Sequence, residues 1–284
     1  MKKTILIVGG RGHYGRPVAE QLQKDGYTVR IFSRDIERAR INMGDTFEYF
    51  QGDVREPDHL IRASHGCYGF HINLNSTTRR ELKEIEYRGT LNCVRAAKSN
   101  NLTRISLISS AGVKKENSWS LPVRYKLKTE ELVKNSGVPF TIFAPTYFMN
   151  GLIAYIKGDR AMIIGKHKRK IKWLAAKDYA HLVSRAYGSQ KAVNKRFLIY
   201  GPGACTLEEA LTIYCKKKYP NLSLMKISPG SFMFMATLSF NRKLIYVGEL
   251  MKAISRIDDS GDMSETAMIL GKPFTTLEDW VSSL

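Results

Sequence analysis

One segment constrains the fold of this chain more than any other: ILIVGGRGHYGRPVAEQL, residues 5–22. An aliphatic, β-branched run passes into a glycine-rich turn and then into a segment with Val18, Ala19 and Leu22 on one side. The run suits a strand buried on both faces. The spacing suits a helix with one apolar stripe, and Pro17 is tolerated in its first turn. A second strand-like run, YTVRIF at 27–32, follows directly. Strand, tight turn, helix and strand make a βαβ unit, whose right-handed crossover requires a parallel sheet with helices on its faces.

The alternation continues. Strands are predicted at 47–54, 68–74, 104–110 and 140–146, and helices at 59–67, 80–101 and 126–137. The helix at 80–101 carries an apolar stripe of Leu82, Ile85, Leu91, Val94 and Ala97. This predicts an α/β chain, a Rossmann-type doubly wound parallel sheet. Beyond residue 146 the pattern loosens. Segments 161–165 and 170–176 read as a hairpin around the basic run Lys166–Lys172, 177–187 as a helix and 196–201 as a strand. Thr206, with Glu208 and Glu209 after it, reads as the cap of a helix over 206–220. The stretch 230–284 reads as helical and Met-rich. Two units are expected: residues 1–150, completed by the strand near 196–201, and a smaller, mostly helical substrate or partner domain over 151–284.

The glycine turn has a specific chemistry. Gly9, Gly12 and Gly15 are spaced GxxGxxG, and Gly10, Gly12 and Gly15 satisfy GxGxxG. Between a strand and a helix, such glycines allow a tight turn, a close backbone approach to a pyrophosphate and close helix–strand packing. The helix N-terminus adds N–H groups and partial positive charge. The whole loop, Gly9, Gly10, Arg11, Gly12, His13, Tyr14 and Gly15, is therefore a candidate dinucleotide site. The second strand ends in Ser33-Arg34, where an NAD site places a carboxylate for the ribose 2′-hydroxyl. Guanidinium matches a 2′-phosphate bidentately, and Arg11 lies in the same region. Asp35 falls in the following turn. NADP(H) is the preferred cofactor, with NAD(H) possible.

Composition narrows the remaining classes. Formal charge is +19, from 45 basic and 26 acidic side chains. The densest basic run lacks interleaved aromatics and matches no DNA-reading motif, so nucleic acid is an unlikely partner despite the charge. No apolar run reaches the roughly 18 residues of a membrane span, and the basic start reads as a first strand and not a leader. Cys67, Cys93, Cys205 and Cys215 have no CxxC or Cys/His spacing. Buried reduced thiols, no metal site and a cytoplasmic location are expected. Oligomeric state is not legible.

Several motifs occur together: ILIVGGRGHYG, QGDV at 51–54, EYRGTLNCVRAAKSNNLTRISLISSAGV at 86–113, KTEELVKNSGVPFTIFAPTYFMN at 128–150 and KDYAHLV at 177–183. Their order resembles that of atypical short-chain dehydrogenases/reductases, in particular the NmrA-like and isoflavone-reductase-like groups, over roughly residues 3–215. The resemblance implies that Asp53 bonds the adenine amino group, with Val54 against the ring. Strand four, near His71 to Leu74 and including Asn73, would line the adenosine ribose. Ser109 and Ser110 end strand five, where relatives hold a catalytic serine. Lys126 corresponds to the lysine on the nicotinamide ribose, and Pro145, Tyr147 and Phe148 would cover the nicotinamide. Lys126 and Ser110 are thus the candidate catalytic residues.

One departure divides the functional readings. Many short-chain reductases pair a tyrosine with a lysine four residues later to move a proton. Here the tyrosine position is Pro122, and Tyr125 is followed four residues on by Thr129. Either the chain is an oxidoreductase passing hydride to a small apolar or planar acceptor, quinone-, azo- or enone-like, that needs little acid/base help; or it is a non-catalytic NAD(P)H-sensing regulator acting through a protein partner. The apolar segment 231–254 would wall an acceptor pocket or form a helical core.

Overall fold

The computed structural model describes residues 2–284. The chain begins β1 (Thr4–Val8), α1 (Gly15–Lys24), β2 (Thr28–Ser33), α2 (Ile36–Met43), β3 (Glu48–Gln51), α3 (Pro57–Ser64) and β4 (Gly69–Ile72). Then come α4 (Arg79–Glu81), a π-helical turn Leu82–Tyr87, α5 (Arg88–Ser99), β5 (Arg104–Ile108), α6 (Leu121–Lys134) and β6 (Phe140–Pro145). The later part holds β7 (Ile156–Lys157), β8 (Arg160–Ile164), β9 (Ile171–Lys172), α7 (Ala176–Gly188), β10 (Lys195–Ile199), β11 (Ala204–Cys205) and α8 (Leu207–Lys218). It ends with β12 (Ser223–Ile227), α9 (Pro229–Leu238), α10 (Arg242–Ile254), α11 (Ser264–Ile269) and α12 (Leu277–Ser282).

The main sheet has the order β3-β2-β1-β4-β5-β6-β10, and every pairing is parallel. The order reverses at β1, whose neighbours are β2 and β4, so a crevice opens at the carboxyl ends of β1 and β4. Alternate residues of each strand serve opposite layers. Ile5 and Ile7 pack with Val18, Leu22, Phe143, Tyr179 and Val183 beneath α1 and α7. Leu6 and Val8 pack with Leu60, Phe70, Val94 and Ile142 beneath α3 and α5. Ile5, Leu6 and Ile7 are all fully buried, each contributing roughly 1.5–3 kcal/mol of transfer free energy. A third core gathers Met149, Leu152, Ile163, Trp173, Leu211, Tyr214 and Trp280. It belongs to the smaller C-terminal region, but α7 and β10 run back into the main sheet.

Several elements differ from their sequence pattern. The basic run is no hairpin turn: β8 pairs with β7 and, in parallel, with β12, whereas β9 pairs with β11. Strand partners distant in sequence override the local alternation. Helix α6 begins at Leu121, and Pro122 sits in its first turn, where a missing N–H costs nothing. The long helix predicted at 80–101 is interrupted by the π turn. The cap of α8 is a full capping box, Thr206 accepting from Glu209 N at 3.2 Å and Glu209 accepting from Thr206 N at 2.8 Å.

Candidate dinucleotide site

The glycine loop leaves β1 at the switch point. Gly9 has φ +83°, and a Cβ there would stand 2.1 Å from the Asn73 carbonyl oxygen. A Cβ on Gly15 would lie 2.3 Å from Gly9 O and 2.6 Å from Asn73 Nδ2. These two glycines let β1, α1 and the end of β4 close on one another. Gly12 differs. Its Cβ would meet only Gly9 O, at 3.3 Å, and its remaining surroundings are open. Helix α1 has no side-chain cap and no acid in its first turn, so its N-terminal positive charge is uncompensated and available to an anion. The cradle therefore fits a pyrophosphate.

The end of β2 is equally specific. Asp35 caps α2, its carboxylate accepting from Arg38 N at 2.9 Å. The Ser33 hydroxyl donates to the Asp35 carbonyl at 2.9 Å, and Arg11 Nη1 reaches the same oxygen at 3.4 Å. Arg34 is exposed beside them. The Asp35 carboxylate is thus committed to helix capping, with Arg11 on its backbone carbonyl, and the carboxylates of Asp53 and Glu81 also feel the Arg34 charge. Asp53 accepts from Arg55 N at 2.9 Å and from the Arg55 side chain at 2.5 Å. These bonds hold its carboxyl below the usual range. Val54 is buried after it.

Two sequence-singled residues on strands point elsewhere. His71 is fully buried, its Nδ1 2.8 Å from Ser106 Oγ; it lies in the core under α7 and not along a ribose. Asn73 is the residue of that strand end which meets the loop. Ser109 donates to the buried Glu130 at 2.5 Å. Arg196 and Lys134 both pair with Glu130, so the Ser109 hydroxyl belongs to an ion cluster between α6 and β10. Ser110 is half-buried, its Oγ 3.4 Å from Gly112 N. Tyr14 stacks on Phe148 with centroids 4.1 Å apart, joining the glycine loop to the segment after β6, and Pro145 is buried at the strand end. Burial raises the Tyr14 hydroxyl pKa. His13 is exposed.

Lys126 lies in a network that the sequence did not disclose. Its Nζ is 3.4 Å from Glu86, a buried carboxylate in the π turn. Ser76 donates to Glu86 at 2.6 Å, and the Tyr246 hydroxyl of α10 stands 3.4 Å from Ser76 Oγ. Burial pushes that tyrosine up to about 12. Tyr147, just after β6, is likewise raised to about 12 by burial, and the Arg169 guanidinium lies 5.7 Å from its ring centroid. Arg169 pairs with Asp259, which also accepts from Thr146 at 3.1 Å. In the sequence Arg169 is one charge of the basic run Lys166–Lys172. Glu86, Tyr246 and Asp259 carried no sequence signal, because each acquires its partner only through the fold. Among the described residues no cluster of His, Cys, Asp or Glu has the arrangement of a metal site.

A doubly wound parallel sheet with a glycine cradle at its switch point defines a dinucleotide-binding protein. The chain belongs to the NAD(P)H-binding family, whose model matches residues 9–177. It is 25% identical to the photosystem II assembly factor Ycf39 of Cyanophora paradoxa, over 82% of this chain and 74% of that one. It is 26% identical to the NAD(P)H azoreductase of Xenophilus azovorans, over 70% of this chain and 68% of that one. The NADPH-dependent quinone oxidoreductase of Escherichia coli, solved with NADPH, shares the fold with TM-score 0.79 at 19% identity, covering 98% of this chain and 99% of that one. The resemblance to NmrA-like atypical short-chain reductases is borne out. No helix among the described residues is long and apolar enough to cross a membrane.

Proposed function

We propose that the protein binds NADPH in preference to NADH and passes hydride to a small apolar or planar acceptor of the quinone, azo or enone class. The observation that carries the cofactor preference is the strand end at Ser33–Asp35: its carboxylate is spent on capping α2, and Arg34 and Arg11 are left to meet a 2′-phosphate. Gly12 and the α1 N-terminus would take the pyrophosphate. Bound reduced nicotinamide supplies the hydride. Lys126, held by Glu86, would orient the nicotinamide ribose. The inner faces of α9 and α10, with Tyr246 and the Arg169–Tyr147 contact, would bound the acceptor. Residues 1–150 with β10 thus serve the cofactor, and most of 151–284 serves the acceptor or a partner.

A second reading has its own support. Pro122 replaces a proton-transferring tyrosine, the Lys126 charge is matched by Glu86, and a photosystem II assembly factor is among the relatives. In this reading the chain senses NAD(P)H and signals to a partner protein. Fluorescence titration with NADPH and NADH, followed by a screen of quinones, azo dyes and enones on the same sample, separates the two. Turnover of an acceptor favours the reductase; stoichiometric binding without turnover favours the sensor. Arg34→Asp should weaken NADPH tenfold or more, about 1.4 kcal/mol, and NADH far less. Equal losses would remove Arg34 from the 2′-phosphate site.

A further inference from the structure

The α9–α10 hairpin carries a run of exposed apolar side chains on an otherwise highly charged chain. On α9, Phe234 is 67% exposed, Met235 51% and Leu238 63%. Their spacing places them on one side of the helix, and Phe232 and Ala236, which are buried, lie on the other. Helix α9 contains no charged residue at all. A helix apolar all round is ordinarily enclosed by protein; here one face rests on α10 and the other meets water. At the turn, Phe240 is 90% exposed with φ +50°. A left-handed phenylalanine is costly, and glycine or asparagine would fit that backbone better. Leu244, also exposed, continues the patch onto α10.

The charges beside the patch have one sign. Residues 229–256 contain Arg242, Lys243, Lys252 and Arg256 but a single acid, Glu249, which pairs with Arg79. A groove on one flank of α10 is lined by Arg79, Arg80 and Arg242. A groove on the other flank is lined by Lys166, Lys252 and Arg256 and has no carboxylate.

We propose that this hairpin docks the protein on an anionic lipid surface. The exposed face of α9 and Phe240 enter the boundary between headgroups and acyl chains, and the surrounding arginines and lysines meet the lipid phosphates. Charge decides against a second copy of the chain as the occupant. A two-fold interface would bring Arg242 and Lys243 against their own counterparts, in a molecule of charge +19. Phe240 projects from a turn and is 90% exposed, a shape that a deformable bilayer accommodates. The contact is peripheral, since a helix of ten residues extends only about 15 Å, half of a hydrocarbon core.

Co-flotation of the full chain with vesicles tests this, using phosphatidylcholine alone and phosphatidylcholine mixed with phosphatidylglycerol, each at low and high sodium chloride. The protein should float with the mixed vesicles and release as salt rises. The variant Phe234→Ser/Leu238→Ser/Phe240→Ser should bind at least about a hundredfold more weakly, with its melting temperature and NADPH titration unchanged. Arg242→Gln/Lys243→Gln should lose about fivefold per charge, on the anionic vesicles only. Failure to float with anionic vesicles at low salt overturns the proposal, as does equal flotation of the triple serine variant. So does a wild-type dimer in sedimentation that this variant dissociates, which would assign the patch to a second copy.

Discussion

At the scale of single residues, Gly9 and Gly12 of the motif do different work, and an alanine at each tells them apart. Gly9→Ala meets the Asn73 carbonyl at 2.1 Å on a left-handed backbone. It should cost about 2–4 kcal/mol from overpacking and strain together, read as a lower urea midpoint. Gly12→Ala makes one tight contact, 3.3 Å to Gly9 O, that a shift of a few tenths of an ångström relieves, so its stability should fall by about 1 kcal/mol. Its methyl group would nonetheless occupy space that the loop offers to phosphate. NADPH affinity should drop at least about tenfold in the same fluorescence titration. A Gly12→Ala protein that binds NADPH normally would remove that glycine from the cradle.

His71 gives a second residue-scale prediction. Burial lowers its pKa from 6.5 to about 3, so in the folded protein it stays neutral down to that pH. An unfolded chain takes up the proton near pH 6.5. The unfolded state therefore binds more protons between these values, and stability falls as pH falls, by up to about 1.4 kcal/mol per unit. Above pH 6.5 the group contributes nothing to the slope. Replacing His71 with Gln, whose amide can still meet Ser106, should flatten the acid limb of a stability–pH curve between pH 6 and 4. An unchanged slope would mean that His71 is not kept neutral.

At the scale of elements, the question is what Asp35 is for. As the cap of α2 it accepts from Arg38 N, and Asp35→Ala should cost about 1 kcal/mol of stability. The ratio of NADPH to NADH affinity should stay within about twofold. A large shift in that ratio would make the carboxylate a ribose ligand. Legibility in the sequence follows the same division between local and distant causes. The βαβ pattern, the glycine loop and the cap at Thr206 could all be read, because turn chemistry and apolar period act over a few residues. The partner of β8 could not be read, for it is β12, far down the chain. Glu86 reaches Lys126 from a π turn that shifts the helical register, and Tyr246 approaches Ser76 across 170 residues. No periodicity encodes such meetings.

At the scale of the whole molecule, the C-terminal region is joined to the main sheet by many links, some exposed, such as Lys114–Asp258 and Lys195–Glu265, and some buried. One buried group of them centres on Asp259. Its carboxylate takes Thr146, just after β6, and Arg169, from the basic loop, while its carbonyl takes Tyr200, just after β10. One residue thus ties the ends of two sheet strands to a loop of the smaller core. The Asp259 side chain is 12% exposed and that of Arg169 28%, so the pair is only partly screened. Asp259→Ala would strand the arginine; after discounting for its exposure, the loss should be about 2 kcal/mol. If this clasp transmits stability between the regions, the wild-type protein should unfold in one calorimetric transition, and Asp259→Ala should separate two, the lower belonging to the core around Trp173 and Tyr214. If NADPH binds in the proposed cradle, it should raise the upper transition more than the lower. A single transition in the variant, merely displaced to lower temperature, would show that coupling runs instead through other links, such as the buried Asp178 of α7, which accepts from Phe274 N and from Thr275.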